Sequence, residues 1–152
     1  LKVTPGGSID YEFVAAEIAR LMVDYKIKCL AFDRWKIDAL IKAFDAVGIS
    51  AGKEPGSDLL MADHGQGFKD MGAAVANLQA MILNRKVRVA ENPVTRWCSA
   101  NAVLESDAAN NMKFTKRRSH GRIDGLVSLA MAAMQSTKGD VAAPEPAIYV
   151  LA

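Results

Sequence analysis

The feature that most constrains this chain is a change of hydrophobic period at Ile27. Upstream of it, Phe13, Val14, Ile18, Leu21, Met22 and Tyr25 recur at the spacing of an amphipathic helix. Residues 27–32 (IKCLAF) then form a short apolar run with a β-branched start and an aromatic end, the pattern of a buried strand, and Asp33 ends it at once. A helical stripe resumes near Arg34 with Trp35, Leu40, Ile41, Phe44 and Val47, and Gly48 can close it. A strand set between two helices that each need to bury one face points to an α/β layered fold.

The rest of the chain continues the alternation. Thr4-Pro5-Gly6-Gly7-Ser8 is loop chemistry, and Asp10 stands where a helix N-cap belongs. Residues 48–68 are glycine-rich and read as irregular, with a short strand at 49–51. Val75, Leu78, Met81 and Ile82 predict a helix over residues 71–84, and residues 87–89 are a short strand candidate. Asn92-Pro93 reads as an N-cap followed by the first helical position, opening a helix that carries Trp97. Residues 102–105 and 112–116 predict a β-hairpin around 107–111, where asparagine tolerates positive φ. Ile123, Leu126, Val127, Ala130, Met131 and Met134 mark a last helix starting near Arg122. The expected result is a mixed sheet flanked by helices, one domain over residues 1–135, and a loose tail over 136–152 that contains Pro144 and Pro146.

Composition narrows the function classes. A chain of 152 residues with 51% hydrophobic and 24% charged residues is a globular mix, which excludes disordered, collagenous and coiled-coil classes. No apolar block approaches the ~20 residues of a membrane span, and no secretory signal opens the chain. The first residue is Leu1, not Met, so the chain reads as a fragment whose upstream part is missing. Cys29 and Cys98 have no CxxC spacing and read as free thiols of a reducing compartment. The net charge of +2 predicts little, but its distribution does: Lys113, Lys116, Arg117, Arg118 and Arg122 lie within residues 113–122 with no acid among them, on an otherwise slightly acidic body. Such a block is either a solvated loop or a polyanion site.

Two acids stand out by position. Asp33 ends a buried strand, where ligands gather in open α/β sheets. Asp124 lies in the first turn of the last helix beside Gly125, directly after the basic block. Each has an ordinary structural reading: Asp33 as a cap for the next helix, Asp124 as a partner of the helix dipole. Together they are also the donor chemistry of a hard Mg²⁺ or Mn²⁺ site, in which two ions about 4 Å apart activate a water and stabilise the leaving oxygen in phosphodiester cleavage. His120 reads as a surface histidine, as a phosphate contact or as an aid to a metal-bound water. Gly65-Gln66-Gly67 is too short for a dinucleotide fingerprint and reads as a turn, and the chain has no Walker-type phosphate loop.

Five short motifs occur in a fixed order: Thr4-Pro5-Gly6 with Ile9-Asp10-Tyr11; Ala31-Phe32-Asp33-Arg34-Trp35; Gln66-Gly67-Phe68; Asn92-Pro93-Val94-Thr95-Arg96-Trp97; and Gly121-Arg122-Ile123-Asp124-Gly125. In that order and spacing, over about residues 3–135, the chain resembles the C-terminal nuclease region of large terminase subunits of tailed bacteriophages. The resemblance implies an RNase H-like fold, truncated here on its N-terminal side, and a metal-dependent endonuclease that cuts concatemeric double-stranded phage DNA during packaging. It implies that Asp33 and Asp124 are catalytic and metal-binding, with a first family aspartate upstream that nothing here matches. Lys116, Arg117, Arg118, His120 and Arg122, with Arg34 and Lys69, would contact DNA.

The same resemblance implies two Mg²⁺ or Mn²⁺ ions in the complete site. The expected partners are an N-terminal packaging ATPase, a portal and a small terminase subunit, in the cytoplasm of a bacterial host and away from membranes. Two other functions fit the residues: a non-catalytic DNA-binding or assembly module, and another RNase H-like nuclease such as a junction resolvase.

Overall fold

A computed structural model describes residues 6–35 and 37–138. The chain forms two compact units, one within Leu1–Asp63 and one within His64–Ala152.

In the first unit, helix α1 (Tyr11–Asp24) starts where its cap places it: the Asp10 carboxylate accepts the Phe13 amide hydrogen at 3.0 Å. Strand β1 (Leu30–Phe32) is the second half of the apolar run that follows. Helix α2 (Ile37–Ala46) ends in a Schellman motif at Gly48, whose φ of 77° is costly for any residue with a Cβ. The Gly48 amide bonds to the Asp45 carbonyl, and the Ile49 amide to that of Phe44.

Strand β2 (Ala51–Gly52) and strand β3 (Leu59–Asp63) then complete a parallel sheet in the order β1-β3-β2, with Phe32 in register with Asp63. Helix α1 packs on α2, and the core gathers Ala15, Ala43, Phe44 and Leu59, flanked by Tyr11, Ile18, Met22 and Leu40.

The second unit is built on helix α3 (Phe68–Leu83), which packs against helix α5 (Asp124–Ser136). Met71, Val75, Leu78 and Met81 from α3 and Val127, Leu129 and Met131 from α5 are buried. Helix α4 (Pro93–Ala100) opens on the expected cap: the Asn92 side chain accepts the amides of Val94 and Thr95, and Pro93 takes the first turn. It packs on α5, with Cys98 buried. Strands β4 (Leu104–Ser106) and β5 (Met112–Phe114) pair antiparallel, and β5 also lies against α3. Their connection turns at Asn110, with φ 63°, while the Asp107 carboxylate accepts the amides of Ala109 and Asn111.

The parallel and antiparallel parts of the expected sheet are therefore two small sheets among the described residues. Three expectations need correction. Trp35 is not part of the α2 stripe: it precedes the helix, is 79% exposed, and sits in a turn where its amide bonds to the Asp33 carboxylate at 3.3 Å. Residues 87–89 form no strand, because β-branched side chains do not make one where no neighbouring strand offers a ladder. Residues 48–68 are less irregular than expected, since β3 runs through them with Leu59 and Met61 buried. Of the expected tail, Ser136 closes α5 and Thr137 and Lys138 follow in a turn; residues 139–152 lie outside the described part.

Candidate functional site

The expected site residues fall in both units. Asp33 and Arg34 belong to the first; Lys69, Lys116, Arg117, Arg118, His120, Arg122 and Asp124 belong to the second.

In the first unit, Asp33 is exposed immediately beyond the carboxyl end of β1. Its Oδ1 accepts the Trp35 amide, so the helix-entry reading of this acid is partly realised. The neighbouring central strand ends in a second acid that sequence reasoning passed over. Asp63 pairs in register with Phe32 and so stands at the same sheet edge as Asp33. Its Oδ2 accepts a hydrogen bond from Lys53 Nζ at 2.7 Å, while its Oδ1 is buried with no partner among the described residues. Lys53 Nζ also stands 6.0 Å from the centre of the Phe32 ring. The signal was present: Leu59-Leu60-Met61-Ala62 is an apolar run ended by an acid, as residues 27–32 are.

In the second unit, the basic block is a built loop. Thr115 is buried, and its amide donates to the Val103 carbonyl at 2.9 Å. Ser119 Oγ donates back to the Thr115 carbonyl at 2.8 Å, closing the turn over residues 116–118. Ile123, 1% exposed, anchors the other end in the core. Between these anchors Lys116, Arg117, Arg118, His120 and Arg122 are all exposed. Of the five, Lys116 alone forms an ion pair with a described residue: its Nζ donates to Asp124 Oδ1 at 2.5 Å.

Lys113, counted with the block by sequence, is engaged elsewhere. Its Nζ lies 4.7 Å from the centre of the Phe68 ring and 3.1 Å from Glu105, whose carboxyl it holds below the usual carboxylate range through that hydrogen bond. Lys69 is exposed on the first turn of α3.

Asp124 occupies the first turn of α5, where the free amides and the helix dipole favour a negative charge. A carboxylate that faces solvent and already holds a cation is chemically suited to a hard dication, which takes oxygen donors and keeps several waters. Asp33 meets the same donor requirement from the first unit. Among the described residues, no three His, Cys, Asp or Glu side chains are grouped to hold a metal. No helix of the described residues is long and apolar enough to cross a membrane.

Comparison with known proteins gives this geometry its context. The family described as terminase large subunit, endonuclease domain, matches residues 1–140. The terminase large subunit of Enterobacteria phage HK97 is 46% identical over 132 residues, which is 87% of this chain and 25% of that protein. The Escherichia coli K12 protein YmfN is 28% identical over 134 residues, 87% of this chain and 27% of its own length. The chain thus spans about a quarter of the length of the curated relatives it matches.

Among solved structures, the HK97 large terminase superposes with a TM-score of 0.75 at 44% identity, covering 87% of this chain and 26% of that one. The large terminase nuclease of the thermophilic phage G20c superposes at 0.61 with 20% identity, covering 86% of this chain and 64% of that one, a likeness of fold. The fold class is α/β, and these neighbours are RNase H-like terminase nucleases. With a family match over nearly its whole length and a relative close to half identical, the chain belongs to the endonuclease-domain family of terminase large subunits.

Proposed function

We propose that this chain is the metal-dependent endonuclease domain of a phage DNA-packaging terminase, cutting concatemeric double-stranded DNA by two-metal phosphodiester hydrolysis. One observation carries the reading: a built cationic loop runs directly into Asp124, so groups suited to phosphate and a carboxylate suited to a metal share one segment of the second unit. Asp124 in the second unit and Asp33 in the first would each be a ligand where two Mg²⁺ or Mn²⁺ ions are held, together with the family's upstream aspartate. When bound, the ions supply a lowered pKa for an attacking water and charge stabilisation for the leaving oxygen.

The remaining work falls to the chain's own cations. Lys116, Arg117, Arg118 and Arg122 hold DNA phosphates, and His120, Arg34 and Lys69 also contact DNA. Arginine's planar fork suits bidentate phosphate contacts, while lysine acts as a point charge. The wider partners in this proposal are a packaging ATPase, a portal and a small terminase subunit, acting inside the host cell.

A non-catalytic reading also has an observation in its favour, since Asp124 is paired with Lys116 as an acid with a structural role would be. Plasmid nicking in Mn²⁺ separates the two. The endonuclease reading expects metal-dependent nicking, lost by on the order of a hundredfold or more in Asp33→Asn and Asp124→Asn, because metal ligation stabilises the transition state by several kcal/mol and each ~1.4 kcal/mol is tenfold in rate. Full activity in both variants would end the assignment of Asp33 and Asp124 as metal ligands, and no metal-dependent nicking by the unsubstituted chain would favour the DNA-holding module.

A further inference from the structure

The motif Asn92-Pro93-Val94-Thr95-Arg96-Trp97 belongs to the family pattern, but no step above uses its last residue. Trp97 is 49% exposed, although an indole is among the most strongly apolar surfaces a helix can carry. Its surroundings account for its position. A methyl group built on Gly121 would lie 2.6 Å from Trp97 Cζ2, 2.9 Å from Cη2 and 2.9 Å from Asn101 Nδ2. Real Cβ atoms essentially never approach other heavy atoms that closely, so any residue but glycine at 121 would have to push the indole and the Asn101 amide aside.

Asn101 is itself fixed on α4, its Nδ2 donating to the Trp97 carbonyl at 2.9 Å. One residue beyond Trp97, Cys98 Sγ is 3.4 Å from where a Cβ of Gly125 would stand. Helix α4 and its cap residue Asn101 therefore meet the segment 121–125 at both of its glycines, tightly at Gly121 and in ordinary van der Waals contact at Gly125, and Arg122 and Asp124 lie between.

We propose that Trp97 is a positioning residue for the cationic loop: with Asn101 it clamps the Gly121 backbone and so fixes the direction in which Lys116, Arg117, Arg118 and Arg122 meet DNA phosphates. The inference rests on the DNA-cleaving function proposed above. A loop held in advance loses no ordering entropy on binding, and all its cations engage together. A released loop still carries the same net charge but places fewer cations within reach of phosphates at one time.

The test is binding of a fluorescently labelled DNA duplex by the 152-residue chain, followed by anisotropy between roughly 50 and 200 mM salt, where log affinity falls by about 0.9 per phosphate contact for each decade of salt. Gly121→Ala and Trp97→Ala are expected to lower that slope by about one to two contacts, with several-fold weaker binding, while circular dichroism stays native. Trp97→Phe, which keeps an aromatic face, is expected to restore most of the slope. Native variants with the wild-type slope would overturn the inference while leaving the DNA function standing, whereas no duplex binding by the wild-type chain would sink the function itself.

Should both variants fail to fold, backbone relaxation of the wild-type chain decides. Order parameters of Gly121 and Arg122 near the rigid value of about 0.85 support the clamp, and values below about 0.6 overturn it.

Discussion

At Asp124 the carboxylate already has a cation. Lys116 Nζ sits 2.5 Å from Oδ1, and both side chains are more than half exposed. An exposed ion pair contributes little to stability, roughly 0.2–1 kcal/mol, so it yields easily to a competitor. A dication at Asp124 would compete with the ammonium, and Lys116 would then be available to phosphate. Lys116→Met is therefore expected to tighten Mn²⁺ binding about threefold in calorimetry without DNA, the order of an exposed pair. An unchanged affinity would mean that Lys116 and the metal do not compete for Asp124. Both acids were legible in the sequence because each stands at a boundary, one closing an apolar run and one opening a helical stripe. Their hydrogen-bond partners were not legible: Lys116 is eight residues from Asp124, and no periodicity links a loop to a helix start.

At the scale of elements, what the sequence revealed best was where helices begin and end. Asp10, Gly48 and Asn92 each act through backbone chemistry confined to a few neighbouring residues, and each does what its position predicts. Replacing Asn92 with Ala should destabilise the second unit by about 1 kcal/mol, seen as a lower urea midpoint with an unchanged slope. Strands were harder to read. Strand β3 is a five-residue segment between glycine-rich turns, and a short apolar run has no period of its own until a partner strand is known. Residues 87–89 show the converse, having β-branched residues without a partner.

The hairpin adds a pH test. Glu105 is held below its ordinary value first by its hydrogen bond to Lys113, and Asp107 first by its hydrogen bond to Asn111. Both acids are therefore more acidic when folded. They stabilise the hairpin above the ordinary carboxylate range, and that contribution is lost as pH falls through their lowered values. Amide exchange at β4 and β5, measured at fixed ionic strength and corrected for intrinsic rates, should show weaker protection below that range. In Glu105→Gln combined with Asp107→Asn the acid-induced loss should be much smaller. An equal loss in the double variant would assign the pH response to other groups.

For the whole molecule, the α/β class followed from helix-period stripes alternating with short apolar runs. The family followed from five motifs in order, and the match over residues 1–140 agrees with their extent. The division into units within Leu1–Asp63 and His64–Ala152 had no sequence signal, because the two meet at Asp63-His64 with no linker composition between them. The proposed function rests on Asp33 in one unit and Asp124 in the other acting as metal ligands. Anomalous diffraction from crystals soaked in MnCl₂ tests that most directly. The proposed function predicts manganese bound at a carboxylate oxygen of Asp33 and at one of Asp124, with Lys116 withdrawn from Asp124. Saturating Mn²⁺ that leaves both carboxylates bare, with the Lys116–Asp124 pair intact, would contradict it.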